Sequence, residues 1–168
     1  MNAPAPLVLT LALDDEDQER FDALRRAHFP PERNHLAAHV TLFHALPGER
    51  LEQVREEVAE AARRAPFAVR VVRVRSLGRG VAYDLDAPEL TALRRGLADA
   101  WAPWLTRQDA SWSRAHVTVQ NKVEPERARA LLEELSAGFG PWTVRAAGLA
   151  LWHYRGGPWE AAGRYPFG

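Results

Sequence analysis

The chain has no cysteine among its 168 residues. Disulfides, thiolate nucleophiles and zinc sites built on Cys ligands are therefore excluded. It also lacks an excess of either charge, since 22 Lys and Arg balance 22 Asp and Glu. That removes the basic footprint of a general DNA or RNA coat protein and leaves room for a small phosphate ester held by a few residues. Long hydrophobic runs are missing as well. The stretch from Ala3 to Leu13 has no basic flank and stops at Asp14-Asp15, too short and wrongly flanked for a signal peptide or membrane span. A cytoplasmic protein with no membrane partner is expected. The G-x-G at Gly78 lacks the wider spacing and following helix of a dinucleotide site and reads as a hairpin turn. What remains is one domain-sized chain of ordinary apolar content.

Two short strings, seventy-seven positions apart, organise this chain: His39-Val40-Thr41-Leu42 and His116-Val117-Thr118-Val119. β-Branched and apolar residues with period-2 alternation predict strands. Side chains two apart in a strand share a face. Each string therefore sets an imidazole beside a hydroxyl, backed by an apolar face.

Patterning around the strings predicts the other elements. Leu7 to Leu13 reads as a buried strand, and Phe21, Leu24 and His28 mark a helix ended by Pro30-Pro31. Leu51, Val54, Val58 and Ala61 form a helical stripe. Phe67 to Leu77 alternates as a strand with a register slip at Val71-Val72, the mark of a β-bulge, and returns through Gly78 to a strand over 81–86. Pro88 and Pro125 stand where helix-opening prolines belong. The first of these helices carries Leu90, Leu93, Leu97, Trp101 and Trp104 on one face; the second is followed by long strands over 142–154 and 159–167.

The halves repeat. Pro66-Phe67-Ala68-Val69-Arg70-Val71-Val72 matches Pro141-Trp142-Thr143-Val144-Arg145-Ala146-Ala147 at an offset of seventy-five, and the register slip recurs at Ala146-Ala147. The expected architecture is α+β, a duplicated βαβαβ unit in a single domain, with lobes over roughly residues 1–79 and 80–168. The duplication predicts that the two strings face each other across a pseudo-twofold axis.

Two intact H-x-T-apolar strings, one in each half, closely resemble the 2H phosphoesterase superfamily of 2′-5′ RNA ligase-like proteins. The resemblance covers nearly the whole chain in motif order and spacing. It implies two pseudo-symmetric lobes whose antiparallel sheets form a central cleft with one motif from each. It also implies cyclic phosphodiesterase activity giving a 2′-phosphate, with 2′-5′ RNA ligation as the reverse reaction. The substrate would be an RNA end or a small cyclic nucleotide.

The chemistry of the residues agrees. Imidazoles with an ordinary pKa of about 6.5 can take a proton from water and give one to a leaving alkoxide, and hydroxyls beside them can donate to phosphoryl oxygens. His39 and His116 are the candidate acid–base pair, and Thr41 and Thr118 the candidate phosphate ligands. No metal or cofactor is required, and the protein is expected to act as a monomer. Other readings are an enzyme on another cyclic or 2′-5′-linked nucleotide, such as an oligoadenylate or an ADP-ribose cyclic phosphate, and a nucleotide- or RNA-binding module without turnover.

The remaining candidates are ranked by parity and distance. Arg114, just before the second string and on its face, is the candidate basic substrate contact. Lys122 shares that face but lies six residues along, roughly 20 Å at the rise of a strand, and suits a distal contact. His44 falls opposite His39 by parity and is read as a buried hydrogen-bonding group, with Asn121 as its repeat partner. His35 lies four before His39, a metal spacing only on a helix. His28 and His153 read as structural, as do Arg70 and Arg145 on the outer face. Trp101 and Trp104 are assigned to the core. Trp112, Trp152 and Tyr154 are the candidates for base stacking.

Overall fold

A computed structural model describes residues 4–168; Ala3, where the N-terminal apolar run begins, lies outside them. The elements follow in the order β1 (Leu7–Leu13), α1 (Asp15–His28), β2 (Val40–Leu46), α2 (Leu51–Ala61), β3 (Phe67–Ser76), β4 (Val81–Asp86), α3 (Pro88–Ala100), α4 (Arg107–Ala110), β5 (Ala115–Gln120), α5 (Pro125–Ala137), β6 (Trp142–His153) and β7 (Glu160–Pro166). Pro88 and Pro125 open α3 and α5, where a missing N–H costs no helical bond. The turn between β3 and β4 closes with Leu77 N–H donating to the Gly80 carbonyl (2.8 Å), and Gly78 adopts the left-handed φ of 82° that the turn requires.

The strands form one antiparallel sheet in the order β2-β1-β6-β3-β4-β5, with β7 on β6. That order is symmetric about the β3–β6 pair, as two copies of a βαβαβ unit would make it. The two copies do not carry separate sheets: Phe67–Val71 of β3 pairs with Trp142–Ala146 of β6 and joins them. The edge strands β2 and β5 nonetheless touch. The sheet therefore curls into a half-barrel whose two edges approach, which is the cleft between lobes.

Bulges drive the curl. Val72 is the extra residue of β3 against β4, and Ala147 the extra residue of β6 against β1. Both predicted slips are thus bulges, at repeat-equivalent positions, and a bulge bends its strand and raises the local twist. A second pair, which the sequence pattern does not mark, falls inside the motif strands. Leu42 is extra in β2 against β1, and Val119 is extra in β5 against β4.

The apolar alternates of the motifs go inward: Val40, Leu42, Val117 and Val119 are all buried. They join a core in which Phe21, Tyr83 and Trp142 cluster, and Trp101, fully buried, meets Phe43 edge-on. Trp101 also donates its indole N–H to Glu57 on α2 (2.8 Å), which satisfies its one polar atom. Arg70 and Arg145 lie exposed on the outside. Among the described residues no helix is long and apolar enough to cross a membrane.

Candidate active site

His39 stands one residue before β2, and His116 is the second residue of β5. Both rings lean on the peptide carbonyl two residues upstream. His39 Nδ1 donates to the Ala37 carbonyl (2.9 Å), and the Arg114 carbonyl bears on His116 in the same way. The carbonyl fixes Nδ1 of His39 as the protonated nitrogen, so its Nε2 is the free lone pair. Burial is the main cause that lowers the pKa of His39 to about 4, with the charges of Arg25, His116 and His44 acting in the same direction and the Ala37 carbonyl against it. Burial also lowers His116, with the Arg75 guanidinium next in effect. Both imidazoles are therefore neutral in the free protein near pH 7.

His39 and Thr118 line one cavity of about 690 Å³, together with Arg25, His44, Asn121 and Lys122. Tyr154 and Trp159 form its aromatic wall, and Trp159 packs on the His39 ring with centroids 4.7 Å apart. His116 lines an adjoining pocket with Arg114, Arg73 and Arg75. Thr41, the third residue of its string, borders neither pocket; its carbonyl accepts the Trp112 indole N–H (3.2 Å). That bond, with Arg94 stacked over the Trp112 ring at 4.7 Å, makes Trp112 a strut between the halves rather than a free stacking surface. Trp152 borders a third pocket beside His39, and its indole N–H donates to Thr10 Oγ1 (3.0 Å).

Parity misplaces His44. The bulge at Leu42 shifts the alternation by one, so His44 turns to the cleft with His39 instead of away from it. The hydrogen-bonding role read for it does hold: its Nδ1 donates to Asp109 Oδ1 (3.0 Å). Asp109 is fully buried and also accepts the backbone N–H of His44 (2.7 Å) and of Ala45 (3.0 Å). Burial pushes this carboxyl up, but those bonds outweigh it and hold its pKa below the usual range. The pair leaves Nε2 of His44 facing the cavity. Lys122 is likewise not at the far end of a strand. β5 ends at Gln120, the chain turns through a left-handed Lys122 (φ 63°), and the side chain returns to the cavity of His39.

Two buried arginines escape the sequence reading. Arg25 on α1 donates from Nη1 to the Thr118 carbonyl (2.9 Å), tying the first half to β5. Arg94 on α3 donates from Nε to the Leu42 carbonyl (2.7 Å), tying the second half to β2. These reciprocal struts hold the motif strands together. A repeat signal for them exists: Ala-Leu-Arg-Arg occurs at 23–26 and again at 92–95, with both inner arginines on the apolar stripe of their helices.

A family model described as the 2′-5′ RNA ligase superfamily matches residues 13–158. The chain belongs to this superfamily, that of the 2H phosphoesterases. Among solved structures, TT0787 of Thermus thermophilus is 16% identical with a TM-score of 0.67, the match covering 96% of this chain and 97% of that one. Escherichia coli LigT in its apo form is 19% identical with a TM-score of 0.64, covering 99% of each chain. LigT complexed with 3′-AMP is 18% identical with a TM-score of 0.63, covering 98% of each. At these identities the likeness establishes the shared curled-sheet fold. No curated protein matches the sequence.

Proposed function

We propose that this 2H superfamily member is a metal-independent phosphodiesterase that opens 2′,3′-cyclic phosphates of RNA ends or nucleotides. The observation that carries the reading is the pairing of two H-x-T strings from opposite halves on the two meeting edges of one curled sheet. His39 and His116 serve as the acid–base pair; Thr118, in the cavity of His39, binds the phosphate, with Thr41 as its repeat counterpart on the facing strand. Arg114, beside His116, is the candidate basic contact.

The reaction needs a proton removed from the attacking water and one delivered to the departing ribose oxygen. One neutral imidazole accepts the first through its free ring nitrogen. The other imidazole delivers the second once protonated, and the anionic phosphate favours that protonated form on binding. Threonine hydroxyls donate to the non-bridging oxygens as negative charge builds there. Water exclusion by the Trp159 and Tyr154 wall strengthens each of these bonds. In the reverse, ligating direction the two histidines exchange roles. LigT has been seen with 3′-AMP, and a nucleoside phosphate of that kind suits the aromatic and basic walls of this cavity.

The test is turnover of 2′,3′-cyclic nucleotides with excess EDTA, the products separated by phosphate position. We expect turnover unchanged by the chelator and a single 2′-phosphate product. Loss of activity in EDTA, or no turnover of any cyclic nucleotide while binding persists, would reject the proposal; the latter would leave a binding module.

A further inference from the structure

Duplication allows the two halves of the cleft floor to be compared position by position. In the second half, ladder partners run Arg73–Asp84–His116 and Arg75–Ala82–Thr118 across β3, β4 and β5. Residues opposite one another in a sheet share a face. Both guanidiniums therefore rise from the face that carries His116 and Thr118. In the first half the offset of seventy-five puts Gly148 and Ala150 where Arg73 and Arg75 stand, paired with Ala12 and Thr10 of β1. Nothing larger fits at Gly148, where a Cβ would lie 2.7 Å from the Tyr165 carbonyl oxygen on β7. The first half is consequently open, with a cavity of about 410 Å³ bordered by His39, Trp152 and Trp159. The second half is filled with positive charge.

That charge is only partly used by the protein. Asp84 is fully buried and accepts from Arg73 Nε (2.5 Å) and Arg75 Nε (2.8 Å). One carboxylate between two guanidiniums leaves a net positive charge, and Arg114 at the pocket mouth adds another. The Arg73 and Arg75 side chains are 56% and 34% exposed, so their outer N–H groups remain open to a ligand. Forked donors on a rigid strand match the geometry of phosphate oxygens.

We infer that Arg73, Arg75 and Arg114 form a second phosphate subsite beside His116. Resting on the reaction proposed above, this makes the substrate a nucleotide with a phosphate on the 5′ side of the reacting nucleoside. An RNA end has that group; a cyclic mononucleoside phosphate lacks it. The open first half then faces the nucleoside.

The test is calorimetric titration of the intact protein with adenosine 3′,5′-bisphosphate and with adenosine 3′-monophosphate. The wild type is expected to bind the bisphosphate at least about tenfold more tightly, a typical difference for charge-assisted contacts. The double variant Arg73→Gln, Arg114→Ala keeps Arg75 on the buried Asp84 and should reduce that preference below about twofold. Equal affinities in the wild type, or a preference that persists in the variant, would overturn the subsite and leave the arginines as a structural ion triad. A preference for the bisphosphate in a protein that hydrolyses no cyclic nucleotide would keep the subsite and reject only the reaction.

Discussion

Hydrolysis of a 2′,3′-cyclic nucleotide is expected to fall by about 10²- to 10⁴-fold in kcat when His39 or His116 becomes alanine. In the proposed reaction each imidazole moves a proton only as the transition state forms, so kcat and kcat/KM should drop together while KM changes little. Replacing both should reduce the rate much less than the product of the two single losses, because the acid and the base act as one unit. Steady-state kinetics of the three variants checks this. Neither variant should unfold the protein, since both rings are only partly buried and each leans on a carbonyl of a neighbouring residue. A single variant with wild-type kcat would remove that histidine from the reaction.

Arg94→Leu is expected to destabilise the fold by about 3–5 kcal/mol, within the range for leaving two buried carbonyls unpaired at about 1–3 kcal/mol each. Arg94 is 5% exposed, and burial lowers its pKa to about 10, so it is still charged at neutral pH. Its guanidinium donates to the Leu42 carbonyl (2.7 Å) and the Asp109 carbonyl (2.6 Å), and lies 3.8 Å from the Phe43 ring centroid. Leucine fills most of the volume but leaves two buried carbonyls unpaired. For a chain of this length the loss corresponds to a thermal midpoint lower by roughly 6–20 °C. Urea denaturation of Arg94→Leu beside Arg70→Leu gives the comparison. The exposed Arg70 should change stability by no more than about 0.5 kcal/mol. Similar midpoints for the two variants would show that the strut carries no stability.

What the sequence made legible was local or repeated. The two H-x-T strings, the helix-opening prolines and the slips at Val71-Val72 and Ala146-Ala147 each depend on a few adjacent residues, and each appears where the pattern places it. The duplicated order of elements followed from the seventy-five-residue offset. The misreadings share a different cause. A bulge at Leu42 leaves no mark in a run of apolar residues, yet it inverts the parity of the residues just after it, up to a second register shift before Leu46, and brings His44 into the cleft. Asp109, its partner, is sixty-five residues away in a short helix, beyond any local pattern. Arg25 and Arg94 carry no local mark because burial of a charge is decided by what packs above it, here the facing motif strand. Trp159 carries no local sign of being a wall of the site, because only the fold of the β6–β7 turn lays it against His39. The joining of both halves into one sheet rests on the β3–β6 pairing between distant segments.

In the proposed reaction two imidazoles, one from each half, carry the proton traffic. The dependence of kcat/KM on pH tests it most directly, because that profile reports the essential groups of the free enzyme. The base must be unprotonated and the acid protonated, so the rate rises through one pKa and falls through the other. Both imidazoles titrate below the ordinary 6.5, His39 at about 4, which puts the maximum of the bell below pH 6.5. His39→Ala and His116→Ala should each abolish one limb and leave the other. A bell that keeps both limbs in either variant, or a wild-type maximum well above pH 6.5, would rule out the two-histidine mechanism.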